Sequence, residues 1–144
     1  MRIAAISDLH IGVRAGLDGF GHAIDAFDAW LARLEQEHDR IVLLGDVFQT
    51  DHVLVPGRRA RARELHAARR RAEVLVRRFS GPRYHYVHGN HDEVARTELD
   101  VVSSLRIAAD GVELLFTHGH QFDPVARTAP WLAGLGGWGT GALR

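Results

Sequence analysis

The chain has no cysteine, so a disulfide framework and a thiolate metal site are both excluded. It has no lysine either, and all 18 cationic side chains are Arg. Formal net charge is zero, which removes any global field drawing the chain to nucleic acid or an anionic membrane. No apolar run approaches the ~20 residues that a spanning helix needs. The first ten residues, MRIAAISDLH, carry one Arg, a short apolar run and then Asp8. That is the pattern of a buried strand entering a loop, not of a secretory signal, and the expected location is cytoplasmic. What is present is ordinary for a globular protein: 144 residues, 46% hydrophobic and 25% charged. That length is enough for a real core, and a single domain over 1–144 is expected.

Hydrophobic periodicity divides the chain into alternating elements. RIAAIS at 2–7 and RIVLLGD at 40–46 read as buried strands that end at acidic residues. Between them Phe20, Ala23, Ile24, Phe27, Trp30, Leu31 and Leu34 recur at helical spacing, and the stripe is expected to be core. A second helix is expected over 59–79, with Leu65, Ala68, Ala72, Leu75, Val76 and Phe79 on one side. RYHYVHG at 83–89 is a third strand, and 105–119 is a hairpin turning at Asp110-Gly111. The order β-α-β-α-β plus a hairpin predicts an α/β sandwich with a mixed sheet, its parallel strands presenting ligands at their C-terminal ends.

Four short motifs fall at those strand ends: Asp8-x-His10, Gly45-Asp46, Gly89-Asn90-His91-Asp92 and His118-Gly119-His120. One edge of the sheet would then gather carboxylates, an amide oxygen and several imidazoles. Such ligands suit first-row divalent metals, and the oxygen-rich share argues against zinc alone. Taken singly, Asp8 is an N-cap, Asp46 or Asn90 a turn residue, and His118 a satisfied core histidine. Their joint placement favours ligation.

In this order, ISDLH, LLGDVF, VHGNHDE and FTHGH resemble the motifs of the calcineurin-like metallophosphoesterase family, over residues 1 to about 123. The resemblance implies a layered α/β/β/α sandwich with mixed sheets. It implies two divalent metal ions, with Mn foremost and Fe, Zn, Ni or Co as alternatives. Asp8 and His10 would bind the first metal, Asp46 would bridge, and Asn90 and His118 would bind the second. His91 would be the catalytic imidazole, with Asp92 orienting it, and Asn90 and His91 would contact a phosphate-ester substrate. His120 is a supporting candidate, and Gln49, standing where many relatives carry an acidic residue, is given no metal role. The family's closing Gly-His-x-His does not occur after His120, which implies a fold shortened at its C-terminus. The alternatives are therefore a catalytically impaired relative acting as a binding module or a non-functional fragment, and a DNA-repair-type nuclease.

Nine Arg between Arg58 and Arg78 against Glu64 and Glu73 would suit a nucleic-acid surface. A solvated helix face in an Arg-only chain is the preferred reading. Trp131, Leu135 and Trp138 lie in a Gly-rich apolar stretch that suits self-association or a peripheral lipid contact.

Overall fold

The computed structural model describes residues 1–13, 19–53, 57–99 and 101–123. The C-terminal stretch with Trp131, Leu135 and Trp138 lies outside them. Three short strands, β1 (Ile3–Ile6), β2 (Arg40–Leu44) and β3 (Tyr84–Val87), form a parallel sheet in the order β1-β2-β3. The register pairs Ala5 with Val42, and Val42 with His85. Strands β4 (Leu105–Ala109) and β5 (Val112–Phe116) form a separate antiparallel hairpin. Its turn holds Asp110 at φ 52° and Gly111 at φ 81°, the left-handed pair that a two-residue hairpin turn requires.

The period of two along each strand explains the layering. Leu43, Ile6, Tyr84 and Tyr86 point to a core shared with the helices. Val42, Leu44, Val87 and Ile3 point the other way, against Ile107, Leu105 and Phe116 of the hairpin. Helices therefore cover one face of the parallel sheet and the hairpin covers the other. This is the α/β/β part of the expected sandwich, with parallel and antiparallel sheets both present. Strand β5 is exposed along most of its length, with Val112 and Leu115 more than half open to solvent.

Helix α1 (Ile24–Glu37) begins four residues after Phe20. Its stripe is only partly core: Leu31 is fully buried and Phe20 nearly so, while Trp30 is 38% exposed. The helix expected over 59–79 is two, α2 (Arg58–Arg71) and α3 (Glu73–Phe79). They meet at Ala72, where ψ is 34°. No Pro or Gly makes the bend. Ala72 is itself fully buried, and Arg71 donates from Nη1 to the Gly12 carbonyl at 2.6 Å. A fourth, single-turn helix α4 (Ala95–Glu98) has too few residues to show a period in the sequence.

The Arg run is partly structural. Arg78 reaches both oxygens of Asp28 at 2.7 and 3.0 Å and Glu35 at 2.9 Å, tying α3 to α1. Tyr84 from β3 donates to the same Glu35 at 2.7 Å. The Arg78 hydrogen bond holds the Asp28 carboxyl below its ordinary 3.8, against the upward push of partial burial. Arg78→Ala should lower unfolding stability by about 2 kcal/mol, the range for charge-assisted bonds in a partly buried network. Because Asp28 is depressed in the folded state, its share of that stability is present above pH 3.8 and fades as pH falls further. Urea melts of wild type and variant should therefore differ at pH 7, and the gap should narrow as pH falls below 3.8. A constant gap would detach the effect from this carboxylate.

Candidate metal centre

The loops after β1 and β2 run side by side beyond the sheet. Asp8 N donates to the Gly45 carbonyl at 3.1 Å, His10 N to Asp46 O at 2.9 Å and Ile11 N to Val47 O at 2.9 Å. Gln49 N returns to Ile11 O at 3.0 Å, and Thr50 N donates to His91 O at 3.1 Å. These bonds extend the parallel ladder past the strands and lock three loops into one plate. The plate carries the first three sequence motifs.

Backbone strain concentrates there. Asp8 (φ 58°), His10 (φ 48°) and Asp46 (φ 52°) all lie in the left-handed region that side chains avoid. The fourth non-glycine residue in that region among those described is the hairpin Asp110. Each such residue costs on the order of 1–2 kcal/mol, so three at one spot signal a geometry imposed by the surrounding hydrogen bonds for a purpose. Two glycines make the approach possible. A Cβ on Gly89 would overlap the Asp46 carboxylate and lie 2.5 Å from the Asp46 backbone nitrogen. A Cβ on Gly45 would overlap the His118 ring.

Asp46 is the hub and is 3% exposed. Its Oδ1 accepts from His91 N at 2.9 Å. Its Oδ2 lies 3.3 Å from His118 Nε2 and 4.0 Å from His10 Nε2, and His10 Nε2 is 3.7 Å from Asp8 Oδ1. Two groups result, each with its ligand atoms within 4.8 Å: Asp8, Asp46 and His118, and His10, Asp46 and His91. Asp46 belongs to both, which is the position of a bridging carboxylate.

The imidazoles are held ready. His118 Nδ1 contacts the Leu44 carbonyl at 2.9 Å, and His10 Nδ1 contacts Gln49 Oε1 at 2.7 Å. Both acceptors can only accept, so each ring donates from Nδ1 and turns Nε2 toward Asp46. In the neutral ring that nitrogen carries a lone pair, which a cation between it and the carboxylate would satisfy. Ligand atoms bound at about 2.0–2.2 Å stand roughly 3 Å apart, close to the spacings seen. The donor set therefore fits divalent metal. A carbonyl or amide behind each ligating ring is the outer support such rings normally have.

His91 is oriented by Asp51, and Asp92 does not have that role. His91 Nδ1 lies 2.9 Å from Asp51 Oδ2, while Gln49 donates through Nε2 to Asp51 Oδ1. The His91 proton goes to Asp51, so the 3.0 Å approach of Gln49 Nε2 to the same ring nitrogen is a contact between two donors. The Asp51 hydrogen bond raises the His91 pKa against burial. Burial pushes the Asp51 carboxyl up, but the His91 bond and the charges of His91 and His52 leave it lowered overall. Asp92 is fully buried and serves the backbone: Oδ2 accepts from Val47 N at 2.7 Å, Phe48 N at 3.2 Å and Tyr86 Oη at 2.5 Å, and Oδ1 from Gly89 N at 2.6 Å. Sequence proximity suggested Asp92 as the partner of His91, but a side chain wholly committed to four donors has nothing left for its neighbour.

Asn90 follows Gly89 on the same plate with its side chain exposed. His120 stands beside the second group, its ring centroid 5.6 Å from those of His118 and His88. Its Nδ1 and His88 Nε2 are buried without a hydrogen-bond partner. Burial, then the neighbouring His88 and His118, hold the His120 pKa below its ordinary value.

Carboxylates and imidazoles converging from the strand ends give two groups able to hold a divalent metal. The chain belongs to the calcineurin-like phosphoesterase superfamily, whose domain pattern matches residues 1–133. Members of that family bind divalent metals and include hydrolases of phosphate esters. A comparison with curated proteins found no match. Among the described residues, no helix is long and apolar enough to cross a membrane.

Proposed function

We propose that this chain hydrolyses a phosphomonoester or phosphodiester with a water activated by two metal ions, Mn foremost. The observation that carries this is the convergence of His10 Nε2 and His118 Nε2 on one buried oxygen of Asp46, with Asp8 beside it. When bound, a metal pair there supplies Lewis acidity toward phosphate oxygens and a nucleophile at neutral pH.

The chain's own residues do the rest. By the family resemblance Asp8 and His10 would hold one cation and Asn90 and His118 the other, with Asp46 shared; the ligand atoms in the structure instead group Asp8 with His118, and His10 with His91, around Asp46. Asn90 and the protonated His91 steady phosphate oxygens. His91 holds its Nδ1 proton against Asp51, so its Nε2 proton is the one delivered to the departing alkoxide as the phosphorus–oxygen bond breaks. Water supplies the oxygen added to phosphorus and returns a proton to the ring.

The test is hydrolysis of a generic aryl phosphodiester by the purified chain with added Mn. Turnover that EDTA abolishes and Mn restores supports the reading. A folded, metal-binding chain with no turnover overturns it and leaves a binding module. Asp51→Asn should lower kcat by roughly 10–100-fold, the usual effect of an outer-shell partner, with metal affinity changed little. Equal loss of metal binding would put Asp51 among the metal's own supports instead.

A further inference from the structure

A groove of about 550 Å³ opens directly from the metal centre along the first turns of α1. Asp8 lines it at one end, and Phe20, His22, Ala26, Phe27 and Trp30 line its length. The rings form one cluster. Phe20 meets Phe27 edge-on at 5.1 Å and 80°, and meets His22 at 5.4 Å and 82°. His22 and Phe27 lie nearly parallel, 18° apart at 5.7 Å, and Trp30 continues the row 5.2 Å from Phe27.

This is where the expected core stripe fails to be core. Trp30 is exposed and Phe27 only half-buried, although their helical spacing is that of an inward face, and His22, just before α1, is exposed beside them. Contiguous aromatic surface left open to water beside a polar site marks a place where something binds. The lining also says what does not bind. Among the described residues no Arg lines the groove, and the carboxylate of Asp8 is the charged side chain on it. Those residues offer a phosphate no cation, so the phosphate is assigned to the metal positions and the groove to an uncharged group attached to it.

Building on the hydrolytic reading above, we propose that the substrate is a phosphodiester with a flat aromatic substituent, and that the Phe20–Phe27–Trp30 groove holds this ring while the phosphate sits at Asp8 and Asp46. Offset and edge-on ring contacts favour a planar partner over a flexible chain by roughly 1 kcal/mol beyond the area buried.

The test compares benzyl, cyclohexylmethyl, hexyl and ethyl methyl phosphodiesters, whose leaving alcohols are similar in acidity. The benzyl ester should show a KM roughly tenfold below the ethyl ester, with kcat little changed. Trp30→Ala, at an exposed position, should raise KM for the benzyl ester toward the ethyl value and leave the ethyl ester unaffected. Phe27→Leu, which keeps an apolar side chain in the half-buried position, should do the same more weakly. A lower KM for the hexyl or cyclohexylmethyl ester would overturn the aromatic assignment. Equal KM values across the series would overturn the groove and leave the hydrolytic reading standing. A binding arm separates the opposite case. Benzylphosphonate, but not methylphosphonate, should shift the tryptophan emission of the wild type and not of Trp30→Phe. That shift without turnover of any ester would keep the groove and remove the hydrolysis, and no shift would overturn the groove.

Discussion

Asp46→Asn will abolish metal-dependent phosphodiester hydrolysis while leaving the fold in place. The substitution keeps the side chain's shape, and the Oδ1 that accepts from His91 N can remain an oxygen acceptor in the amide. What changes is charge and donor pattern. The oxygen that now faces His118 Nε2 at 3.3 Å and His10 Nε2 at 4.0 Å loses its negative charge or becomes an NH₂ aimed at two bare ring nitrogens. In the second case the amide satisfies both rings directly and occupies the place of a cation. The loss should therefore exceed the ~100-fold typical of an outer-shell partner, because one oxygen serves both groups. Calorimetric titration with Mn should show both binding steps weakened, not one. Retention of a single intact step would mean that Asp46 does not bridge, and the two groups would have to be described as separate sites. Gly89→Ala offers an independent approach to the same atom. Its Cβ would press on the Asp46 carboxylate and backbone together, so it should weaken metal binding and stability at once.

The outline of this site was legible in the sequence because its information is local. Asp8, His10 and Asp46 follow short apolar strands within a few residues, and parallel strands deliver their C-terminal ends to one edge. That rule places these three together; His118 follows the antiparallel hairpin and reaches Asp46 through the packing of that hairpin on the parallel sheet. The hairpin was equally legible, since Asp110-Gly111 specifies its turn and therefore its register. The bend at Ala72 was not, because a good helix former carries no local signal for a packing-driven kink. Neither was the partial exposure of the α1 stripe: period reports which residues share a face, not whether anything covers it. The partner of His91 was illegible for a third reason. Asp92 is adjacent in sequence and Asp51 is 40 residues away, but the loops after β2 and β3 cross so that Asp51 Oδ2 reaches the ring at 2.9 Å. Only the tertiary ladder through Thr50 and His91 sets that distance. Gln49 carried no metal role in the sequence reading, and the structure places it against His10 and Asp51. It accepts from His10 and donates to Asp51.

Asp92→Ala should be the most destabilising single change at this edge, and the effect should be on folding. Four donors converge on its carboxylate from three different stretches: the Val47 and Phe48 amides after β2, the Tyr86 hydroxyl on β3 and the Gly89 amide after it. The three backbone amides are buried and the Tyr86 hydroxyl bond is partly so, and removing the acceptor leaves these donors unsatisfied where water does not reach readily. Burial, then the Asp92 charge, already keep the Tyr86 hydroxyl well above its ordinary pKa, so that proton has nowhere else to go. Buried unsatisfied groups cost about 1–3 kcal/mol each, and the total should reach at least ~4 kcal/mol, a large part of a domain's usual 5–15. Asp92→Asn should fall between wild type and Ala. It preserves volume but points two hydrogens toward donors on one side. Urea unfolding followed by tryptophan fluorescence gives the ranking, and the same series at Asp51 gives the contrast. Asp51 is also nearly buried, yet its bonds go to His91 and Gln49, two side chains at the rim of the centre, so its loss should slow turnover with little change in midpoint. Were Asp92→Ala to keep its unfolding midpoint and lose only activity, the assignments of the two carboxylates would have to be exchanged. The loop plate would then be held by the backbone ladder alone.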